Sequence, residues 1–240
     1  MPAALPLAAN SREHRRIDMS VFRPKFISFD CYGTLIRFRM GGMAREMFAD
    51  RIAPGNMDQF VRDFSAYRLD EVLGDWQPYA TVLANALDRT CRRWKIECRD
   101  GEAQKYYEAV PTWGPHNDVV EPLDRVAKEF PLVILSNASN DQIQHNVAKL
   151  IAPFHAVYTA EQAGAYKPRL KAFEYMLDQL GANPEDMLHV SSSFRYDLMS
   201  AHDIGIQHKV FVARGHEPST AHYTHREIRD IGGLPGLVGL

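Results

Sequence analysis

Four short tracts carry side chains that could do chemistry. Asp30 follows the apolar run Phe26-Ile27-Ser28-Phe29 and precedes Cys31-Tyr32-Gly33-Thr34-Leu35. In a parallel sheet, ligands bind in the crevice beyond the carboxyl ends of the strands. A carboxylate fixed there and partly withdrawn from water is a candidate nucleophile; the plainer alternative is an Asp that opens a turn. Ser136 and Asn137 close a second apolar run, 132–135, and offer a hydroxyl and an amide as donors. Lys167 precedes Pro168, which favours an extended backbone. Its ammonium could reach the crevice and neutralise Asp30 or a substrate carboxylate, or it is a solvated surface lysine. Asp197 ends the tract Val190-Ser191-Ser192-Ser193-Phe194-Arg195-Tyr196-Asp197 and supplies a second carboxylate, able to orient or deprotonate water.

The rest of the chain must position these groups. From about 43 to 110 the pattern is helical with no clear strand: Phe60, Phe64, Tyr67 and Val72 recur at helix spacing, as do Tyr79, Val82, Leu83, Ala86 and Leu87. Helices inserted directly after the first strand predict a small helical cap over the crevice. Arg37-Phe38-Arg39 with Gly41-Gly42 mark the way out, and Pro111-Thr112-Trp113-Gly114-Pro115 the way back. Beyond it, helical patterns at Val119, Leu123, Val126 and Phe130, at Ile143, Val147 and Leu150, and at Leu170, Phe173, Leu177 and Leu180 alternate with strands at 131–135, 156–158 and 187–190. Lys209-Val210-Phe211-Val212 is the last clear strand. This rhythm predicts a mostly parallel α/β sheet covered on both faces. The expected division is a Rossmann-like core at 22–37 and 115–240, a helical cap at 38–114, and a flexible arm at 1–21 that shows no sustained period, with Met19 an alternative start.

The 240 residues carry a formal charge of −2, with 45% hydrophobic and 24% charged positions. That balance is ordinary for a globular protein and offers no strong field for nucleic acid or an anionic membrane. Neither a membrane span nor a convincing signal peptide is visible. Three cysteines, Cys31, Cys91 and Cys98, make no framework and no zinc pattern, which fits reduced thiols in a cytoplasmic protein.

Asp30-Cys31-Tyr32-Gly33-Thr34-Leu35 resembles the first motif of the haloacid dehalogenase superfamily, in its L-2-haloacid dehalogenase (type II) branch, and the likeness continues in order. Leu135-Ser136-Asn137-Ala138 matches the second motif, Tyr166-Lys167-Pro168 the third and 190–197 the fourth. Superfamily phosphatases carry a second Asp where Tyr32 stands, as general acid, and another acid where Ser192 stands, as a Mg²⁺ ligand. A phenol of pKa about 10 cannot replace a carboxylic acid near neutral pH, and Mg²⁺ needs hard oxygen ligands. Both losses point to a substrate without phosphate and to chemistry without a metal or other cofactor.

The resemblance implies hydrolytic dehalogenation of a short 2-haloacid to a 2-hydroxy acid through an aspartyl ester, with halide as second product. Asp30 would be the nucleophile, Lys167 its counter-charge and Asp197 the group that handles water. Thr34 would support Asp30. Cys31, Tyr32, Ser136, Asn137, Ser192 and Ser193 would line the substrate, Cys31 as a filler at the strand end. The family takes an Arg from an early cap helix for the halide, and Val61-Arg62-Asp63 matches best; Arg62 also heads the row Arg62, Ala66, Leu69, Leu73 at helix spacing, with Arg68 the alternative and Asn137 able to share the role. Phe173 stands where the family has a Tyr, and the fourth motif reads one residue longer than usual. A homodimer is what the family suggests. Two other readings stay open: a phosphatase of the same superfamily with an atypical site, and a catalytically silent binding protein with this fold.

Overall fold

A computed structural model describes residues 22–240; the arm expected at 1–21, and Met19 within it, lie outside the described residues. Six strands form one parallel sheet, β1 Phe26–Phe29, β2 Leu132–Ser136, β3 Phe154–Thr159, β4 Met187–Ser191, β5 His208–Val212 and β6 Arg226–Ile228. Their spatial order is β3-β2-β1-β4-β5-β6. The chain winds one way from β1 to β3 and the other way from β4 to β6, so β1 sits at the switch point with β2 and β4 beside it. In this arrangement the carboxyl ends of the central strands open a crevice. Strand β6 has no counterpart in the sequence reading, because three residues, Arg226-Glu227-Ile228, are too few to show a period.

Between β1 and β2 the chain makes helices α1 Met40–Met47, α2 Met57–Leu73, α3 Tyr79–Trp94 and α4 Glu102–Ala109, and then α5 Val120–Ala127 against the sheet. The exit and return run side by side: Ile36 bridges Pro115, Arg37 N–H donates to Gly114 O at 2.9 Å, and His116 N–H donates to Leu35 O at 3.0 Å. Gly41 and Gly42 lie inside α1 rather than at a crossing point. A Cβ on Gly41 would stand 3.2 Å from Val61 Cγ1, so the missing side chain lets α1 approach α2 closely.

Helix α2 buries Met57, Phe60, Phe64 and Val72. Phe60 packs on Phe48 with centroids 4.7 Å apart and Phe64 on Tyr106 at 5.2 Å, within a core continuous with Ile27 and Phe29 of β1. The row from Arg62 through Ala66 to Leu73 was expected to line the cleft, yet Arg62 and Ala66 are exposed and Leu73 is 50% exposed. Burying Phe60 and Phe64 removes more apolar surface than burying Ala66 and Leu73, and this selects the opposite face.

The remaining helices, α6 Asn140–Val147, α7 Ala160–Ala163, α8 Leu170–Leu180, α9 Met199–Asp203 and α10 Leu234–Leu237, cover the sheet. Helix α8 ends at Gly181 with φ 57°, the left-handed stop expected of that glycine. Among the described residues no helix is long and apolar enough to cross a membrane.

The buried face of α2 gives a simple test. Phe64→Ala is expected to cost ~3–5 kcal/mol in urea unfolding, and Leu73→Ala no more than about 0.5 kcal/mol. Equal losses would mean that α2 is rotated.

Candidate active site

Asp30 follows β1 directly and its backbone N–H donates to Val190 O at 3.1 Å, which locks it between β1 and β4. Gly33, at φ 98°, turns the chain so that Thr34 folds back under the carboxylate. Thr34 Oγ1 donates to Asp30 Oδ2 at 2.7 Å and accepts from Ser192 N–H at 2.9 Å. Asp30 is 8% exposed and faces a cavity of about 440 Å³.

Lys167 is 1% exposed and spends all three ammonium protons: on Asp30 Oδ1 at 2.9 Å, on Asp197 Oδ1 at 2.6 Å and on Leu135 O at 2.7 Å. Its peptide to Pro168 is cis. Asn137 clamps the Lys167 backbone, donating from Nδ2 to Lys167 O at 2.8 Å and accepting from Lys167 N–H at 2.7 Å. Asn137 also touches the cavity, but its amide is committed to holding the lysine loop rather than offered to a halide. Ser136 Oγ is buried beside the cavity without a partner among the described residues, so its donor remains for a ligand.

The fourth motif reaches the site through an unusual turn. Residues Phe194–Leu198 form one π-helical turn, in which Leu198 N–H donates to Ser193 O at 3.1 Å, five residues back. Such turns are rare and mostly single, and this one carries Asp197, whose Oδ1 meets the Lys167 ammonium. Asp197 Oδ1 accepts from Lys167 and pairs with His189 Nε2 at 3.1 Å, while Oδ2 is buried without a partner among the described residues. Glu217 fastens this turn: it accepts from Ser193 Oγ at 2.7 Å, Phe194 N–H at 2.8 Å and Arg195 N–H at 3.1 Å.

His189, Glu217 and Arg214 were missed in the sequence. His189 alternates within a buried strand and reads as one more core residue. Its ring bridges Ser28 Oγ, 2.8 Å from Nδ1, and Asp197, and Phe173 packs edge-on against it at 5.3 Å. With Asp197 ionised, Nε2 is the donor and Nδ1 accepts from Ser28. Arg214 donates to Thr34 O at 3.0 Å and to Asp118 at 2.7 and 2.8 Å, pinning the turn after Asp30. Sequence distance hides these groups, since no local pattern ties 214 to 34.

The charges divide unequally. Burial raises the Asp30 carboxyl above its ordinary value, against the pull of Lys167, and the charge of Asp197 reinforces the rise. Burial also opposes ionisation of Asp197, but Lys167 and His189 outweigh it and hold that carboxyl low. Burial disfavours the Lys167 ammonium, and the two carboxylates overcome this and hold its pKa above the usual lysine range.

The helical side contributes Phe38, Val61, Arg62, Arg68 and Trp113 to the cavity. Arg62 sits at the rim, exposed, with its guanidinium on Gln59 Oε1 at 2.8 Å. Arg68 is half-buried, held 5.1 Å from the ring centres of both Phe38 and Phe64, with Nε buried and unpartnered among the described residues. Both arginines expected from sequence thus border the cavity, Arg62 exposed and Arg68 half-buried, because α2 turns its aromatic face inward. Cys31 is also corrected: it is fully buried in the core and absent from the cavity wall, and burial pushes its thiol pKa far up. Tyr32 does line the cavity, but its hydroxyl donates to Asn146 Oδ1 at 2.7 Å, and burial raises its pKa. Ser192 and Ser193 both border the cavity.

The paired carboxylates make Lys167 a sharp test of this electrostatic balance. Lys167→Met is expected to cost ~3–5 kcal/mol at neutral pH, since it strands buried charge. The variant's carboxyl pKa values then rise above their unfolded values. Its stability in urea is therefore expected to be better at pH 5 than at pH 8 and to fall as pH climbs through the raised values. A pH-independent loss would mean that the carboxylates are solvated.

Comparison with known proteins agrees with this geometry. The family model of haloacid dehalogenase-like hydrolases matches residues 24–205. Haloacetate dehalogenase H-2 of Moraxella sp. (strain B) is 30% identical over 140 residues, 57% of this chain and 62% of that protein, so the match spans less than two thirds of the relative. The (S)-2-haloacid dehalogenase 4A of Burkholderia cepacia is 25% identical over 198 residues, 79% of this chain and 84% of that one. Among solved structures, the L-2-haloacid dehalogenase of Xanthobacter autotrophicus with chloropropionic acid covalently bound superposes with a TM-score of 0.73 at 22% identity, over 90% of this chain and 98% of that chain. The HAD-type protein YfnB of Bacillus subtilis bound to magnesium gives 0.76 at 17% identity, over 91% and 100%. The two structures establish the fold, which is shared by dehalogenases and by a magnesium-binding relative. The chain belongs to the haloacid dehalogenase-like hydrolases, and its likeness in sequence falls on their L-2-haloacid dehalogenase branch.

Proposed function

We propose that the protein is a hydrolase of carbon–halide bonds that converts 2-haloacids to 2-hydroxy acids through an ester on Asp30, without a metal ion. The observation that carries this reading is the Lys167 ammonium held between Asp30 and Asp197 at 2.9 and 2.6 Å. Lys167 supplies the counter-charge to both carboxylates, whereas a Mg²⁺-dependent phosphatase would need further carboxylate oxygens to ligate the cation. The phenol of Tyr32 is tied to Asn146, and Ser192 brings a hydroxyl where an acid would be needed. The donor set does not fit Mg²⁺, and among the described residues no cluster of three or more His, Cys, Asp or Glu could hold a metal. This also weighs against the atypical phosphatase. A silent binding protein would gain nothing from a buried carboxylate kept open to the cavity.

The chemistry follows from the positions. An Asp30 oxygen attacks the α-carbon of the acid, the carbon–halogen bond breaks and the halide leaves with the bonding electrons. Fixing nucleophile and carbon in line removes entropy cost, at best about 7–11 kcal/mol. Ser136 Oγ is the available donor for the substrate carboxylate. Arg68, gripped between two rings, faces the departing halide from the helical side. Water then attacks the Asp30 carboxyl carbon and gives its proton to Asp197 Oδ2, the carboxylate oxygen with no other partner. The bond between the Asp30 carboxyl carbon and the ester oxygen then breaks, and the water oxygen completes the Asp30 carboxylate with loss of its second proton to solvent. The ester oxygen takes the proton back from Asp197 and leaves as the hydroxyl of the 2-hydroxy acid. His189 is a positioning residue: by holding Oδ1 it leaves Oδ2 as the Asp197 oxygen without a partner among the described residues.

Asp30→Asn is expected to abolish halide release from chloroacetate and 2-chloropropionate with the fold retained. A single turnover in ¹⁸O-water should give unlabelled product, and label should appear in later turnovers. Full labelling in the first would mean direct attack by water. Halide release should survive a chelator and be indifferent to added Mg²⁺, with negligible phosphate-monoester hydrolysis; chelator-sensitive turnover would defeat the reading.

The two arginines separate cleanly. Arg68→Ala is expected to lower kcat by about 10²–10³-fold, the usual loss for a preorganised donor to developing charge, and Arg62→Ala by less than about 10-fold. Near-normal turnover in Arg68→Ala would move the halide site to the rim.

A further inference from the structure

The cavity in front of Asp30 is too large and too apolar for its polar floor alone. At about 440 Å³ it falls in the range of sites that enclose whole drug-sized ligands, roughly 300–1,000 Å³. The groups that would do the chemistry, Asp30, Lys167, Asp197 and Ser136, form a polar floor. The same cavity has an aromatic wall: Trp113 meets Tyr32 edge-on at 6.0 Å and 85°, and Phe38 edge-on at 5.6 Å and 81°. Val61 of α2, Val82 of α3 and Val110 at the return of the chain add apolar surface, and Arg68 stacks on Phe38 beside it. A two- or three-carbon acid anchored at the floor would leave this wall facing water.

Resting on the function proposed above, we propose that the natural substrate class is a 2-haloacid whose α-carbon carries a large apolar substituent, an arylmethyl group fitting best. With the carboxylate at Ser136 and the halogen at Arg68, the α-substituent is the one part of the acid without a polar partner and packs on the apolar side chains that remain, Trp113, Val61, Val82 and Val110. An incoming ring can pack offset or edge-on against aromatic side chains such as Tyr32 and Phe38, which line the cavity. The wall consists of side chains packed into the core around Trp113, which is 3% exposed, so it is formed before a ligand arrives. Arg62 and Arg195 stand exposed at the cavity rim and supply positive charge where an anionic acid enters.

The test compares bromides with equally substituted α-carbons: 2-bromopropionate, 2-bromohexanoate and 2-bromo-3-phenylpropionate, read as kcat/KM for bromide release. Burying a side chain of phenyl size is expected to raise kcat/KM roughly 10–100-fold over 2-bromopropionate. Val61→Phe, which fills the cavity from α2, should shrink that ratio toward one. A ratio at or below one in the natural sequence overturns the inference while leaving dehalogenation intact. Should no bromide be released from any of the acids, the dehalogenase reading fails, and titration calorimetry with the hydroxy acids still decides the site. Tighter binding of 2-hydroxy-3-phenylpropionate than of lactate supports the apolar subsite, and equal binding overturns it.

Discussion

A single ammonium group buried between two carboxylates governs this structure. Lys167 arrives on the loop after α7, Asp30 on the end of β1 and Asp197 from the turn after β4, and none of the three tolerates burial alone. Removing a charge from water costs several kcal/mol, about as much as a good ion pair returns. The site is therefore stable only if the geometry is close and every proton of the ammonium finds an acceptor, as it does at Asp30, Asp197 and Leu135 O. With one cation for two acids, the deficit falls on Asp30, whose carboxyl is held above its usual value by burial, while Lys167 and His189 hold that of Asp197 below it.

Much of the surrounding structure keeps those three groups in register. Asn137 closes on both sides of the Lys167 peptide, and Arg214 ties Thr34 O to Asp118. His189 reaches from Ser28 in the middle of β1 to Asp197, so two adjacent strands are joined through a side chain that also holds the Asp197 carboxylate. The π-helical turn at Phe194–Leu198 is fastened by Glu217, which accepts from its backbone donors at Phe194 and Arg195. In these contacts, stability and positioning are the same interactions.

The helical segment has a different task. It closes the crevice with apolar and aromatic side chains and places Arg68 between Phe38 and Phe64. A guanidinium stacked between rings is fixed in orientation and poorly hydrated, which suits a group meant to meet an anion. Tyr32 joins both sides: its ring stands at the cavity and its hydroxyl reaches Asn146, which in turn donates to Val110 O and Trp113 O in the returning chain. A phenol at that position thus serves as a brace.

The sequence by itself determined the parallel α/β fold, the helices between β1 and β2, and the tracts that hold Asp30, Ser136, Lys167 and Asp197, because these depend on local features: apolar runs of strand length, helix periods, and a motif order that survives substitution. It also showed, through Tyr32 and Ser192, which acids are absent. Tertiary structure alone decided which face of α2 is buried, since helix spacing in that stretch admits two stripes and only the packing of Phe60 on Phe48 and Phe64 on Tyr106 chooses between them. That choice brought Arg68 inward and left Arg62 at the rim. It likewise decided that Cys31 turns into the core, because neighbouring residues at a strand end point to opposite sides. The roles of His189, Glu217 and Arg214 rest on contacts between residues 8, 24 and 180 positions apart, and no local pattern encodes a partner so distant.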